Sequence, residues 1–205
     1  LEPVDEWLET KDSSGSNILD KFYKDQEKWS FPFQMNSFIS RVKYIQDEIS
    51  KDDVKIKSNE GTLINNYDLS NIMEKLIFVE RSIYTDRNCF AKLCYESGKM
   101  TELEYNIYCK WNEWLSDHFN VKPDAYIYLR CLPEVNEDRI KQRNREEESS
   151  IPIDYLRKLH EKHDEWMEIE KENVPVLVIN ALDNFKEPEK MKEIFDELFD
   201  FVKSL

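Results

Sequence analysis

Apolar and polar positions along this chain follow two rhythms. Three short runs are continuously apolar, at 76–79, 125–129 and 174–179. None alternates apolar with polar, so each is predicted to be a strand covered on both faces, as in a parallel sheet. The stretches between them have helical spacing. Thr101 with Glu104 makes a capping box, and Ile107, Tyr108, Trp111, Trp114 and Leu115 recur behind it on one face. Pro133, Pro152 and Pro188 each stand where proline is best tolerated, at the opening of a helix. The second of these helices carries Tyr155, Leu156, Leu159, His163 and Trp166, and the third Met191, Ile194, Phe195, Leu198 and Phe199. Strand–helix alternation of this kind predicts an α/β fold with right-handed crossovers. The polar stretch at 50–71 breaks the pattern and is expected to be a surface insertion in a single domain spanning 1–205.

Composition narrows the function. Of 205 residues, 29 are Lys or Arg and 43 are Asp or Glu, a net charge of −14. That disfavours a partner with a nucleic-acid backbone, whose binding rests on cationic contacts. A few clustered arginines can still grip a small phosphate ligand. Hydrophobic residues make up 40% and aromatic residues 13%, enough for a packed core. No apolar run approaches the roughly 18 residues of a membrane span, and no membrane partner is expected. The first ten residues lack the basic and apolar regions of a signal peptide. Cys89, Cys94, Cys109 and Cys131 form no CxxC pair and read as free thiols in a reducing compartment. Glycine is scarce, only Gly15, Gly61 and Gly98, against an ordinary usage of about 7%. No glycine-rich phosphate loop can be written within these residues.

Three stretches could carry chemistry. Glu80-Arg81-Ser82 directly follows the first expected strand, where open α/β sheets place ligands. A carboxylate and a guanidinium there suit a metal-bound phosphate and a substrate oxygen, although a structural ion pair is the plainer reading of the motif alone. Arg139 and Arg143 lie four apart on one helical face, and Arg145 and three glutamates follow. Arginines so placed can clamp phosphates bidentately, or simply solvate a charged helix. The stretch WSFPFQ at 29–34 is aromatic, ends in Gln34 and leads into a helix bearing Arg41. An amide can read a base edge and a phenyl ring can stack on a base face. Core packing explains the aromatics equally well, but a buried amide needs partners.

These stretches occur in an order that resembles the cellular deoxynucleoside kinases, the family of deoxycytidine, deoxyguanosine and mitochondrial thymidine kinases. The matching segments are EPVDEW at 2–7, WSFPFQ at 29–34, FVERSIYTDR at 78–87 and YES at 95–97. They continue with WNEW at 111–114, IYL at 127–129, RIKQRNREEE at 139–148 and IPIDYLRKLH at 151–160. The resemblance implies a P-loop nucleotide-kinase-like three-layer fold, a parallel sheet flanked by helices. The implied activity is ATP-dependent phosphorylation of a deoxynucleoside 5′-hydroxyl with Mg2+, by a homodimer in the cytoplasm or the mitochondrion.

The resemblance also implies roles. Glu2 matches the general base, Glu80 the magnesium-holding acid, and Arg81 the arginine beside the 5′-oxygen and the transferring phosphoryl. Arg139, Arg143 and Arg145 fall in the lid that contacts donor phosphates, a charge arrangement that phosphoryl transfer needs. Tyr23 and Glu148 match the pair on the sugar 3′-hydroxyl, and Gln34 the base-reading amide. Phe33 and Phe90 match the aromatic walls, and Val4, Trp7 and Leu19 other linings. Arg41 and Asp86 match the pair at the far end of the base pocket, a pair that thymidine-preferring members lack. Ser37, one helical turn before Arg41, resembles the deoxyguanosine kinases. Purine deoxynucleosides or deoxycytidine are therefore expected over thymidine, with deoxyguanosine foremost. The family carries a central strand and a glycine loop ahead of the position of Glu2, so the natural chain is expected to have residues upstream of Leu1. The alternative is a non-catalytic relative that binds nucleosides without such a loop.

Overall fold

The computed structural model describes residues 3–49, 76–119, 121–148, 150–182 and 187–205. Glu2 and the stretch expected to be an insertion at 50–71 lie outside them. The described residues are mostly helical, with one two-stranded parallel sheet.

The first half is an all-helical layer. Helix α1 (Val4–Glu9) buries Val4 and Trp7, and α2 (Ile18–Lys24) buries Leu19 and Phe22. Helix α3 (Gln26–Ile49) runs straight through WSFPFQ with Pro32 inside it. The motif was expected to lead into the helix, yet it lies within it; an interior proline removes the bond to the carbonyl four residues back, here Lys28, at a cost of about 3 kcal/mol. Tertiary burial overrides this local penalty. Phe33, Phe38 and Val42 are all buried on α3, each worth about 1.5–3 kcal/mol. Phe33 stacks on Phe22 with centroids 4.5 Å apart, and Trp7 meets Phe33 edge-on at 5.5 Å.

The segment 76–79 has no regular structure and pairs with no strand among the described residues, and Phe78 is exposed. The expected first strand is therefore corrected to a coil, since a strand needs a neighbouring backbone. It ends at Arg81, whose φ of +58° lies in the left-handed region. Ser82 then caps α4 (Ile83–Thr85) in a reciprocal capping box with Thr85. A stretch of π-helix, Asp86–Ala91, follows before the chain resumes as α5 (Lys92–Glu96).

Helix α6 (Glu102–Phe119) starts at the Thr101–Glu104 capping box, with the Thr101 amide donating to Glu104 Oε2 at 2.8 Å. Its apolar residues divide between a buried and an exposed side. Tyr108, Asn112 and Ser116 are buried against α3 and α4, whereas Ile107, Trp111 and Trp114 are exposed. Two polar groups on the inner stripe bond to backbone, while the Tyr108 hydroxyl and Asn112 Oδ1 are buried without a hydrogen-bond partner among the described residues. Asn112 Nδ2 donates to the Ile83 carbonyl, and Ser116 Oγ to the Asn112 carbonyl.

Strand β1 (Tyr126–Arg130) pairs in parallel with β2 (Val176–Asn180), in register from Tyr126↔Val176 to Arg130↔Asn180. Leu129 and Val178 are about half exposed, so these strands are not covered on both faces as the continuous apolar runs predicted. Between them run α7 (Pro133–Arg143), a 3-10 turn (Glu146–Glu148) and α8 (Ile153–Glu170). Helix α9 (Pro188–Ser204) closes the chain, and like α7 it has proline in its first turn. Helix α8 buries Leu156, Trp166 and Met167 and packs on the π-helical stretch and β1 through Cys89, Phe90, Tyr126 and Tyr128.

Candidate active site

One cavity of about 490 Å³, counted to its open mouth, lies between α1, α2, α3, the π-helical stretch and the 145–155 segment. Its lining brings together twelve residues singled out from sequence: Val4, Trp7, Leu19, Tyr23, Phe33, Gln34, Ser37, Arg81, Asp86, Phe90, Arg145 and Glu148. Phe22 and Tyr155 also line it. Both escaped the sequence reading. Phe22 looks like any core aromatic, and the only signal for Tyr155 was a hydroxyl on the apolar stripe of α8. Burial pushes the Tyr155 phenol well above its usual range, which leaves it a neutral donor–acceptor.

The floor is polar and deeply buried. Gln34 is 1% exposed, and its Nε2 donates to Cys94 Sγ at 3.8 Å, a long bond to a soft acceptor. Burial in turn pushes the Cys94 thiol up to about 11, so it stays protonated. Asp86 is 2% exposed and accepts from Arg41 Nε at 2.8 Å, while Arg41 Nη1 donates to the Glu80 carbonyl at 2.9 Å. Arg41 does not line the cavity. It stands behind Asp86 with its guanidinium 5.5 Å from the Trp7 ring, and holds the carboxylate in place. Trp7 is fixed by its own bond to Ser40 Oγ at 2.9 Å. A buried ion pair survives only when such bonds offset its desolvation.

The π-helical stretch positions two of these groups. Asp86 and Phe90 both lie on it and both reach the cavity. π-Helical turns insert a residue into the α-repeat and concentrate at functional sites. Arg81 stands at the mouth with its guanidinium 4.4 Å from the Phe90 ring. Its left-handed backbone costs a non-glycine residue of order 1–3 kcal/mol and is the kind of strain found at ligand sites.

The three arginines of the 139–145 stretch do not converge. Helix α7 ends at Asn144, which is left-handed with φ +52°, so the chain turns away from the helical face shared by Arg139 and Arg143. Arg145 Nη1 donates to Glu148 Oε1 at 2.9 Å, and Arg143 Nε to Glu148 Oε2 at 3.2 Å. Arg139 Nη1 donates to Cys131 Sγ at 3.3 Å, outside the cavity. Glu148 is buried between its two arginines and aimed at the lining. Glu80 is exposed and lies with Arg41 and Arg81 at a smaller adjoining hollow. Magnesium is typically held by one or two carboxylates plus substrate phosphates. Glu80, an exposed hard-oxygen ligand beside a strained arginine, is compatible with that mode.

The arrangement is an aromatic slot with an amide, a serine and a braced carboxylate at its floor, and cationic groups at its rim. It fits a planar, hydrogen-bonding ring attached to an anionic or phosphate-accepting end. Comparison with known proteins points the same way. A family model described as deoxynucleoside kinase matches residues 1–203. The chain is 35% identical to the deoxycytidine kinase of Bos taurus, covering 98% of this chain and 74% of that protein. It is 33% identical to the deoxycytidine kinase of Homo sapiens over the same shares. It is also 33% identical to the mitochondrial deoxyguanosine kinase of Xenopus laevis, covering 92% and 68%.

Proposed function

The chain belongs to the deoxynucleoside kinase family, and from that membership we propose that its cavity holds a deoxynucleoside whose 5′-hydroxyl receives a phosphoryl group from ATP. The observation that carries this reading is Gln34, an amide almost wholly buried at the floor of an aromatic slot with, among the described residues, only a weak thiol acceptor for its Nε2. Buried amides are ordinarily well satisfied, and a base edge supplies a matching donor and acceptor. Phe33 and Phe90 serve as the slot walls, with Val4, Trp7 and Leu19 filling its sides.

Tyr23 and Glu148 bind the sugar 3′-hydroxyl, Arg81 lies beside the 5′-oxygen, and Glu2 accepts the 5′-hydroxyl proton. Glu80 holds Mg2+, which when bound neutralises charge on the donor phosphates. Arg139, Arg143 and Arg145 supply cationic contacts to those phosphates. Because Arg143 and Arg145 already pair with Glu148, donor binding and sugar binding share one charged cluster. The Arg41–Asp86 pair closes the far end of the base site and disfavours a methyl group, so thymidine is the poor substrate. Ser37 favours a purine edge, with deoxyguanosine ahead. The deoxycytidine and deoxyguanosine kinases among the relatives support this range.

The two-stranded sheet and its helices form part of a three-layer P-loop kinase architecture in one domain, with 50–71 a surface insertion. The exposed Leu103, Ile107, Trp111 and Trp114 of α6 support a homodimer. Substitution of Gln34 by Leu tests the reading. It keeps side-chain bulk but removes both hydrogen-bonding atoms, and deoxynucleoside Kd measured by calorimetry is expected to rise about 10²-fold, since a site built on hydrogen bonds discriminates strongly. Unchanged affinity refutes the assignment of Gln34 and the base site with it.

A further inference from the structure

One side chain outside the cavity ties two of its walls together. Asn17 precedes α2 and is 7% exposed. Its Oδ1 accepts the backbone N–H of Asp20 at 2.8 Å and caps the helix. A backbone N–H can only donate, so this bond fixes the amide orientation and turns Nδ2 outward. Nδ2 donates to Glu147 Oε1 at 3.0 Å, across 130 residues of chain. Glu147 lies in the 3-10 turn Glu146–Glu148, adjacent to the cavity-lining Glu148, and α2 carries Leu19, Phe22 and Tyr23. The turn's backbone bonds are local: the Glu148 N–H donates to the Arg145 carbonyl, and the Ile151 N–H to the Glu148 carbonyl. Capping alone does not require an amide, because serine or aspartate caps as well. What asparagine adds is the donor that reaches Glu147.

We infer that Asn17 is a positioning residue for sugar recognition: its amide latches the Glu146–Glu148 turn to α2 and so sets Glu148 opposite Tyr23 for the 3′-hydroxyl. The inference rests on the proposed deoxynucleoside site. It adds that the distance between the two sugar-binding groups is fixed by a residue that touches neither the sugar nor the cavity. Groups holding a ligand must be placed within about 0.5 Å, and two walls contributed by segments so distant in sequence need such a tie.

Aspartate at position 17 separates latch from cap. Asn17→Asp keeps the capping oxygen, loses the donor and sets a like charge against Glu147. Adding Glu147→Gln restores a bond of reversed direction, from Gln Nε2 to the new carboxylate. The test is calorimetric Kd for the tightest-binding of deoxyguanosine, deoxyadenosine, deoxycytidine and thymidine and for its 3′-deoxy analogue, which has no hydroxyl for Glu148. Asn17→Asp is expected to weaken the deoxynucleoside about tenfold, as loss of a charge-assisted hydrogen bond does, and to leave the 3′-deoxy analogue unchanged. The double variant is expected to recover the difference. Glu148→Gln serves as the reference for the sugar contact. If Glu148→Gln discriminates between the two ligands and Asn17→Asp does not, or weakens both equally, the latch is overturned and the site stands. If Glu148→Gln itself fails to discriminate, the sugar assignment falls and the latch with it.

Discussion

Removing the Asp86 carboxylate tests the floor of the cavity in energy terms. Arg41 and Asp86 side chains are 3% and 2% exposed, and the Nε–Oδ2 distance is 2.8 Å. In Asp86→Ala the guanidinium keeps the Glu80 carbonyl and the Trp7 face but loses the carboxylate bonded to its Nε at a buried position. Breaking a buried pair by removing one partner costs about 3–5 kcal/mol. For a chain of this size that lowers Tm by roughly 6–20 °C. Arg41→Leu combined with Asp86→Ala removes both charges and is expected to recover at least half of the loss, because no uncompensated ion remains. Urea denaturation followed by tryptophan fluorescence measures the parent and both variants. The same double variant is expected to raise thymidine kcat/KM relative to deoxycytidine about 10–100-fold, as the methyl group gains room. A single Asp86→Ala variant within about 1 kcal/mol of the parent would refute the reasoning, since the guanidinium would then be hydrated and the pair incidental.

Two further outcomes follow from the surrounding shell. His163 is wedged between Phe90 and Tyr128, with Nδ1 donating to the Leu159 carbonyl at 2.7 Å, and burial foremost, with Arg81 and His160 acting in the same sense, pushes its pKa down to about 4. The unfolded value is about 6.5, so the unfolded chain binds the extra proton. The neutral imidazole's contribution is full above pH ~6.5 and is lost as pH falls through about 4, up to ~3 kcal/mol; Tm against pH for the parent should fall more steeply over that window than for His163→Phe, and parallel curves contradict it. Arg143→Ala is expected to lower kcat by about 10²-fold, as loss of a cationic clamp does, and to raise nucleoside KM as well because Glu148 loses a partner; normal kcat with normal ATP affinity would return that arginine to a solvated helix.

Much of the cavity's membership was legible through the resemblance, which places Asp86 and Glu148 by their ordered segments, whereas Gln34 stands out by itself as an amide ending an aromatic run. Helix starts were legible for a local reason: Thr101–Glu104 and Pro133 act through the first turn alone. What was not legible depends on long-range pairing. The apolar run at 76–79 has the composition of a strand, yet periodicity cannot supply the neighbouring backbone a strand requires. Pro32 signals a break that the buried aromatics of α3 override. The π-helical stretch Asp86–Ala91 has no compositional mark, and without it the pairing of Asp86 with Phe90 at one cavity is invisible. Likewise, the shared helical face of Arg139 and Arg143 said nothing of the left-handed Asn144 that turns Arg145 toward Glu148.

The central claim is that this cavity selects a deoxynucleoside by its base and presents its 5′-oxygen for phosphorylation. The most direct test is kcat/KM for deoxyguanosine, deoxyadenosine, deoxycytidine and thymidine with ATP and Mg2+, with the phosphate located in the product by phosphorus NMR. The account predicts 5′-monophosphates throughout, deoxyguanosine first, and thymidine last by roughly 10–200-fold. Thymidine as the best substrate, or a phosphate on any oxygen but the 5′, contradicts it.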